Sequence, residues 1–234
     1  MGRFGMDKKK KAGTLAQKIN IIRASVMGAN DGILSVAGIV LGVAGATSSS
    51  FAIFISGVSG MLAGTVSMAM GEYVSVNSQK DSQENAVNVQ RQALKDDYQK
   101  EFDFVADKYA ASGIPDDLAR KATKEMMDED AILTTVRERY GFDMHNFTSP
   151  YMAAIASMIS FALGSMLPLL TILFAKPSVR VPMTVVAVAI ALAITGYAAA
   201  VIGKAIRTRA VLRNVVAGLL TMTMTYFIGS LFAR

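Results

Sequence analysis

The chain has 234 residues, 52% hydrophobic and only 18% charged, where a soluble domain carries about 25% charged residues; the balance is that of a membrane protein. It has no cysteine and one histidine, His145, which excludes disulfides and thiolate metal sites and leaves carboxylate, amide or hydroxyl oxygen and Met thioether as metal donors. The net charge of +6 comes from Lys and Arg clusters flanking apolar runs, which set topology rather than bind nucleic acid. No nucleophile with its base, phosphate-cradling loop or redox motif marks an enzyme.

In chain order, residues 1–23 form a basic cytoplasmic N-terminal segment with Arg3, Lys8–Lys11, Lys18 and Arg23, and no cleavable signal pattern follows it. Residues 24–78 form a first transmembrane hairpin with spans at 24–46 and 51–76, each long enough to cross at about 20 residues; the link "TSSS" at 47–50 is very short. Residues 79–149 form a polar insert, predicted as one helix ending at Gly113 and a second with Pro115 in its first turn, Asp116 and Asp117 at the positive end of its dipole and Gly141 as its stop. At about 70 residues the insert is small for an independent core. It is expected to lean on the membrane helices or on a second copy. Residues 150–234 hold three further spans at 151–175, 182–203 and 215–233. The predicted fold is all-α, polytopic, with five transmembrane helices and a cytoplasmic helical insert between the second and third. Lys204, Arg207, Arg209 and Arg213 fall on the same side as the basic N-terminal segment, which predicts a cytoplasmic N-terminus and an outside C-terminus.

The run "ASVMGANDGILSVAGIVLGVAGA" carries Asn30 and Asp31 at membrane depth, where an acid costs about 2.5–3.5 kcal/mol on insertion scales and marks ion or proton paths. Asp31 lies about 12 Å inward from Arg23, and Met68 roughly 25 Å from the opposite edge at Phe51, so the antiparallel hairpin brings them to similar depth. Met61, Thr65, Met68, Glu72, Ser75 and Gln79 share a face of the second span; Met27, Asp31, Ser35 (or Leu34), Gly38 and Gly42 do much the same on the first. A carboxylate facing a thioether suits a borderline cation such as Fe²⁺, and oxygen ligands suit Mn²⁺; Met68 also reads as a core filler. Gly28-xxx-Gly32, Gly38-xxx-Gly42 and Gly60-xxx-Gly64 read as packing faces. Asn214, Gly218, Thr221, Thr225 and Gly229 share a face of the fifth span that either lines a path or glues helices.

"GANDGILSVAGIVLGVAGA" followed by "AGTVSMAMGEYVSVNSQKD", with the later "FALGSMLPLL" and "NVVAGLLTMTMTYFIGSLF", resembles the vacuolar iron transporter (VIT) family over nearly the whole chain, as a bacterial member. The resemblance implies a homodimer that moves Fe²⁺ or Mn²⁺ out of the cytoplasm in exchange for protons, for metal homeostasis, along a path at the dimer interface. It places the family's intramembrane Asp and Met on Asp31 and Met68. Glu72 is read as a receiving group at the cytoplasmic mouth and Asn30 as an amide ligand or turn former. The family's metal-collecting insert maps onto Glu101, Met126, Met127 and Asp130, with Gln90, Ala93 and Phe104 standing where it has glutamates. The acids Asp97, Asp103 and Asp107 either form a weaker site or are a solvated helix face.

The expected partners are divalent ions (also Co²⁺ or Zn²⁺), protons and the lipid bilayer, with no tightly bound cofactor and no nucleic acid. The expected location is a bacterial plasma membrane, with a vacuolar membrane as the alternative. The alternative function is a non-transporting metal sensor or scaffold acting through the insert.

Overall fold

The computed structural model describes residues 15–144 and 149–233; the greater part of the basic N-terminal segment and His145 lie outside the described residues. Seven α-helices and no strand occur among them: α1 (Leu15–Ala46), α2 (Ser50–Asp96), α3 (Tyr98–Ala111), α4 (Asp116–Tyr140), α5 (Pro150–Phe174), α6 (Arg180–Ile202) and α7 (Arg207–Leu231). Five are long and apolar enough to cross a membrane: Ile19–Ala46, Ser50–Asp96, Pro150–Phe174, Arg180–Ile202 and Arg207–Leu231. The chain divides into two compact units, one of Met1–Val74 with Ser149–Arg234 and the other of Ser75–Thr148.

In the membrane unit α1 is the central helix, packed on α5, α6 and α7. Small residues make this possible, because without a hydrophobic drive between helices in lipid, close backbone approach supplies the dispersion contacts. A side chain at Gly32 would collide with the Phe161 carbonyl of α5, and one at Gly164 with the Ala29 carbonyl of α1. On another side of α1, Gly38 and Gly42 receive Thr221 and Thr225 of α7, and Gly229 lies against the Gly42 backbone. The polar face of α7 is therefore interhelical glue. The Gly38–Gly42 stripe packs on α7, so it does not continue the Asp31 face as the spacing had predicted. Between these contacts Ile33, Val36, Ala37, Val40 and Leu41 join Ile53, Leu169, Ile172, Val188, Leu192 and Met222 in one core.

The hairpin is tied at its short link. Arg180 at the head of α6 is buried and donates to the Ser48 carbonyl at 3.1 Å and Ser50 Oγ at 3.4 Å. Ser49 Oγ accepts from the Ala52 amide at 3.3 Å, satisfying one of the orphan donors at the start of α2.

The insert unit differs from its predicted two helices. α2 continues to Asp96, and the helix expected to run unbroken to Gly113 stops and restarts at Asp97, whose side chain accepts from the Lys100 amide and caps α3. α4 starts after Pro115 and ends at Gly141 in the left-handed region (φ 75°), as the sequence predicts. It is kinked at Asp130 (φ −156°, ψ 97°), whose carboxylate accepts from the Leu133 amide at 2.8 Å and so starts a second helical stretch inside the first. Within this unit α3 packs on α4, with Val105 and Ala106 of α3 and Ala119, Met127 and Val136 of α4 buried.

Candidate functional site

Asp31 lies on the side of α1 turned toward α2. With Ser35 and Ile39 it lines a cavity of about 550 Å³ that Gly60, Ala63, Gly64, Ser67, Met68, Gly71 and Glu72 of α2 and Phe161 of α5 complete. The space exists because α2 presents the small residues Gly60, Ala63, Gly64, Ser67 and Gly71 at i, i+3, i+4, i+7 and i+11, one helical face. Met68 and Glu72 border this small-residue stripe and project polar or polarisable atoms into the room it leaves. Asp31 and Met68, matched in the sequence by depth, line the same cavity. Ser35, one turn on, donates to Asp31 Oδ1 at 2.9 Å. A carboxylate, a thioether and the Ser35 and Ser67 hydroxyls thus meet in one space, which mixes hard and soft donors.

The face of α2 differs from the predicted one by about one residue of rotation. Met61 packs against the core cluster, and Thr65 Oγ1 is buried with no hydrogen-bond partner; neither lines the cavity. Ser67, absent from the predicted set, does. Its signal was present in the spacing Gly60, Gly64, Ser67, Gly71, which reads as packing alone until the neighbour is known. Asn30 is not part of the cavity either. Its Oδ1 accepts from Asn214 Nδ2 at 3.0 Å and Thr195 Oγ1 at 3.3 Å, on the side of α6 and α7. Successive helical residues point about 100° apart, so Asn30 and Asp31 serve different faces. Its observed role is interhelical bonding.

Glu72 is only 14% exposed at its side chain and is met by Arg23, whose Nη2 donates to Oε1 at 3.0 Å. Arg23 Nη1 also lies 3.2 Å from Met27 Sδ.

In the insert unit the predicted ligands are not gathered. Glu101 is 5% exposed and accepts from Gln90 Nε2 at 2.6 Å and Arg139 Nη2 at 2.9 Å, and Arg139 stacks over Phe104 at 3.8 Å. Met127 is buried. Met126 and Asp130 line a separate cavity of about 330 Å³ with Glu129, Leu133, Thr134 and Arg137, where Arg137 Nη2 already lies 3.6 Å from Met126 Sδ and Asp130 caps the kink. Asp103 pairs with Arg120 at 3.0 Å. Among the described residues no three Asp, Glu or His side chains converge as a metal cluster. Glu138 is the other anchored acid. Burial opposes its ionisation, but hydrogen bonds from Tyr109, Lys108 and Arg137 outweigh it and hold the carboxyl below its ordinary value. Burial, then the Glu138 hydrogen bond, pushes the Tyr109 phenol up.

The model of the VIT family matches residues 22–230. Vacuolar iron transporter homolog 1 of Oryza sativa subsp. japonica is 35% identical over 212 residues, covering 90% of this chain and 73% of the relative. Vacuolar iron transporter homolog 2 of the same plant is 34% identical over 91% of this chain and 90% of its own length. Vacuolar iron transporter homolog 3 of Arabidopsis thaliana is 31% identical, over 92% and 85% respectively.

Proposed function

The chain belongs to the VIT family, and from that premise we propose that it is a secondary transporter moving Fe²⁺ or Mn²⁺ out of the cytoplasm in exchange for protons. The observation that carries the reading is the cavity shared by Asp31, Met68, Ser35 and Ser67 in the membrane unit. Asp31 is the central ligand. A carboxylate that holds a cation when ionised and a proton when neutral couples the two fluxes, because the two compete for the same oxygens. Met68 adds a soft donor, which favours borderline ions over hard ones.

One chain supplies few donors for an ion that takes about six or more oxygens, and the apolar window of α2 is only 11% buried against 44% for α1. Both features support a homodimer in which a second copy covers α2 and adds its own donors. The basic clusters support a cytoplasmic N-terminus and an outside C-terminus. The sensor reading is weaker, since Glu101 is committed to Arg139 and Gln90.

The test is uptake of Fe²⁺, Mn²⁺, Co²⁺ and Zn²⁺ into proteoliposomes with and without an imposed pH gradient. Gradient-driven accumulation of Fe²⁺ or Mn²⁺, with counter-movement of protons, supports the proposal. Metal binding without accumulation overturns it in favour of the sensor.

A further inference from the structure

Arg23, Met27, Asp31 and Ser35 recur every four residues, so they form one slowly drifting stripe along α1. Asp31 and Ser35 line the cavity. Arg23 stands eight residues before Asp31, about 12 Å along the axis, and reaches across to α2. There its guanidinium is held at 3.0 Å by Glu72 Oε1 and at 3.2 Å by Met27 Sδ. These are a carboxylate oxygen and a thioether, the same donor pair that Asp31 and Met68 present one level further in. Glu72 itself lines the cavity and follows Met68 by one helical turn. The column of donors between α1 and α2 therefore has two levels, and a tethered cation of the protein's own occupies the one nearer the start of α1.

We propose that Arg23 is a built-in competitor of the transported ion and a specificity-determining residue: an incoming cation reaches Asp31 by displacing the guanidinium from Glu72 and Met27. The inference rests on the transport reading given above. The pair is suited to displacement, because Arg23 is 49% exposed at its side chain and an ion pair with such access to water is worth about 0.2–1 kcal/mol. Competition of this kind filters by charge. A monovalent ion offers Glu72 no more charge than the guanidinium does and has no tether, so it loses. A divalent ion brings twice the charge and, if borderline in softness, also takes Met27. Once displaced, the freed guanidinium repels a second cation from the same level.

The test is the initial rate of Mn²⁺ uptake by full-length protein in proteoliposomes, over a range of Mn²⁺ and at low and high NaCl. The proteins are wild type, Arg23→Gln, Arg23→Lys, Glu72→Gln and the Arg23→Gln/Glu72→Gln double variant. Arg23→Gln is expected to lower KM for Mn²⁺ by about 1.4–5-fold, the factor that corresponds to a half-exposed ion pair, and to make uptake more sensitive to Na⁺. Arg23→Lys, which keeps the charge but not the fork, is expected to shift KM the same way by less, and it carries the test if Arg23→Gln does not fold. Glu72→Gln is expected to raise KM, and adding Arg23→Gln to it to change nothing further.

A KM that is unchanged or raised in whichever Arg23 variant folds overturns the proposal. So does an Arg23→Gln effect that persists in full without Glu72, since Arg23 then acts through another group. Absence of uptake by wild type overturns the transport reading instead. Mn²⁺ titration of the solubilised full-length proteins then tests the competition directly, with tighter binding to Arg23→Gln supporting it and equal binding refuting it.

Discussion

Asp31 in the membrane unit and Glu101 in the insert unit are both acids that the sequence nominates for metal, and the structure treats them differently. Glu101 is almost wholly buried and gripped by an amide and a guanidinium. Asp31 takes a hydroxyl from its own helix and faces a cavity. A buried carboxylate must be satisfied, because an unpaired one costs several kcal/mol. What differs is whether the protein supplies the positive partner itself. For Glu101 it does, and a metal ion would have to displace Arg139 from both Glu101 and the Phe104 ring. For Asp31 the space beside the carboxylate leaves room for an ion or a proton. Residue type alone therefore does not separate a ligand from a structural acid; the fixed cations around it do.

Removing the charge of Asp31 is the strongest way to break the comparison. Asp31→Asn keeps the shape and the Ser35 contact but loses both the negative charge that would hold a cation and the oxygen that would take up a proton. Transport in liposomes is expected to be lost while size-exclusion behaviour stays that of wild type. Neutralising the other acid sharpens the contrast. Glu101→Leu leaves Gln90 and Arg139 without their acceptor and is expected to destabilise the insert by about 1–3 kcal/mol, read as faster amide exchange in α3 and α4 of the full-length protein, with KM for metal near wild type. A large KM change would show that Glu101 handles metal after all.

Met68→Leu is a smaller perturbation, since volume-conserving swaps cost under about 1.5 kcal/mol of stability. It is expected to depress uptake of Fe²⁺ and Co²⁺ more than Mn²⁺. An unchanged selectivity profile would reduce Met68 to packing.

The mildest test uses pH. The Glu138 carboxyl is held below its ordinary value of 4.5, so its stabilising contribution is complete above that value and is lost as pH falls through the lowered one. The Tyr109 phenol is raised above 10.0, so its contribution is complete below that value and is lost as pH rises past it. Exchange rates at the α3–α4 contact are expected to climb at both extremes, and the Glu138→Gln variant to lose the acid limb.

The five spans and the insert were legible because hydropathy and span length decide them locally. Asp31 was legible because a carboxylate in an apolar run is costly wherever the neighbours lie. The facing of α2 was not, because Gly60, Gly64, Ser67 and Gly71 read equally as a packing stripe and as the wall of a cavity, and only the position of Asp31 across from them separates the two. Asn30 was misplaced by a single residue of rotation. Asp97 reads from the sequence as a weak metal ligand or a solvated helix position and Asp130 as a metal-collecting residue; each instead accepts from a backbone amide and starts a new helical stretch, a local hydrogen bond outcompeting helix continuation. The commitment of Glu101 depended on Arg139, 38 residues away, beyond the reach of any local pattern.

The tie between Arg180 and the short link after α1 has a mechanical consequence. Two rods fastened at one end behave as tongs, with the fastening as pivot and the facing points further along the rods as jaws. From Ser50 to Glu72 the arm along α2 is roughly 33 Å, so each degree of swing at the pivot moves Glu72 by roughly 0.6 Å. Separating it from Arg23 by a water's width then needs a swing of only about 5°, small against the scatter with which helices pack. A slight tilt of α2 opens the jaw at Arg23 while the end at the short link stays closed.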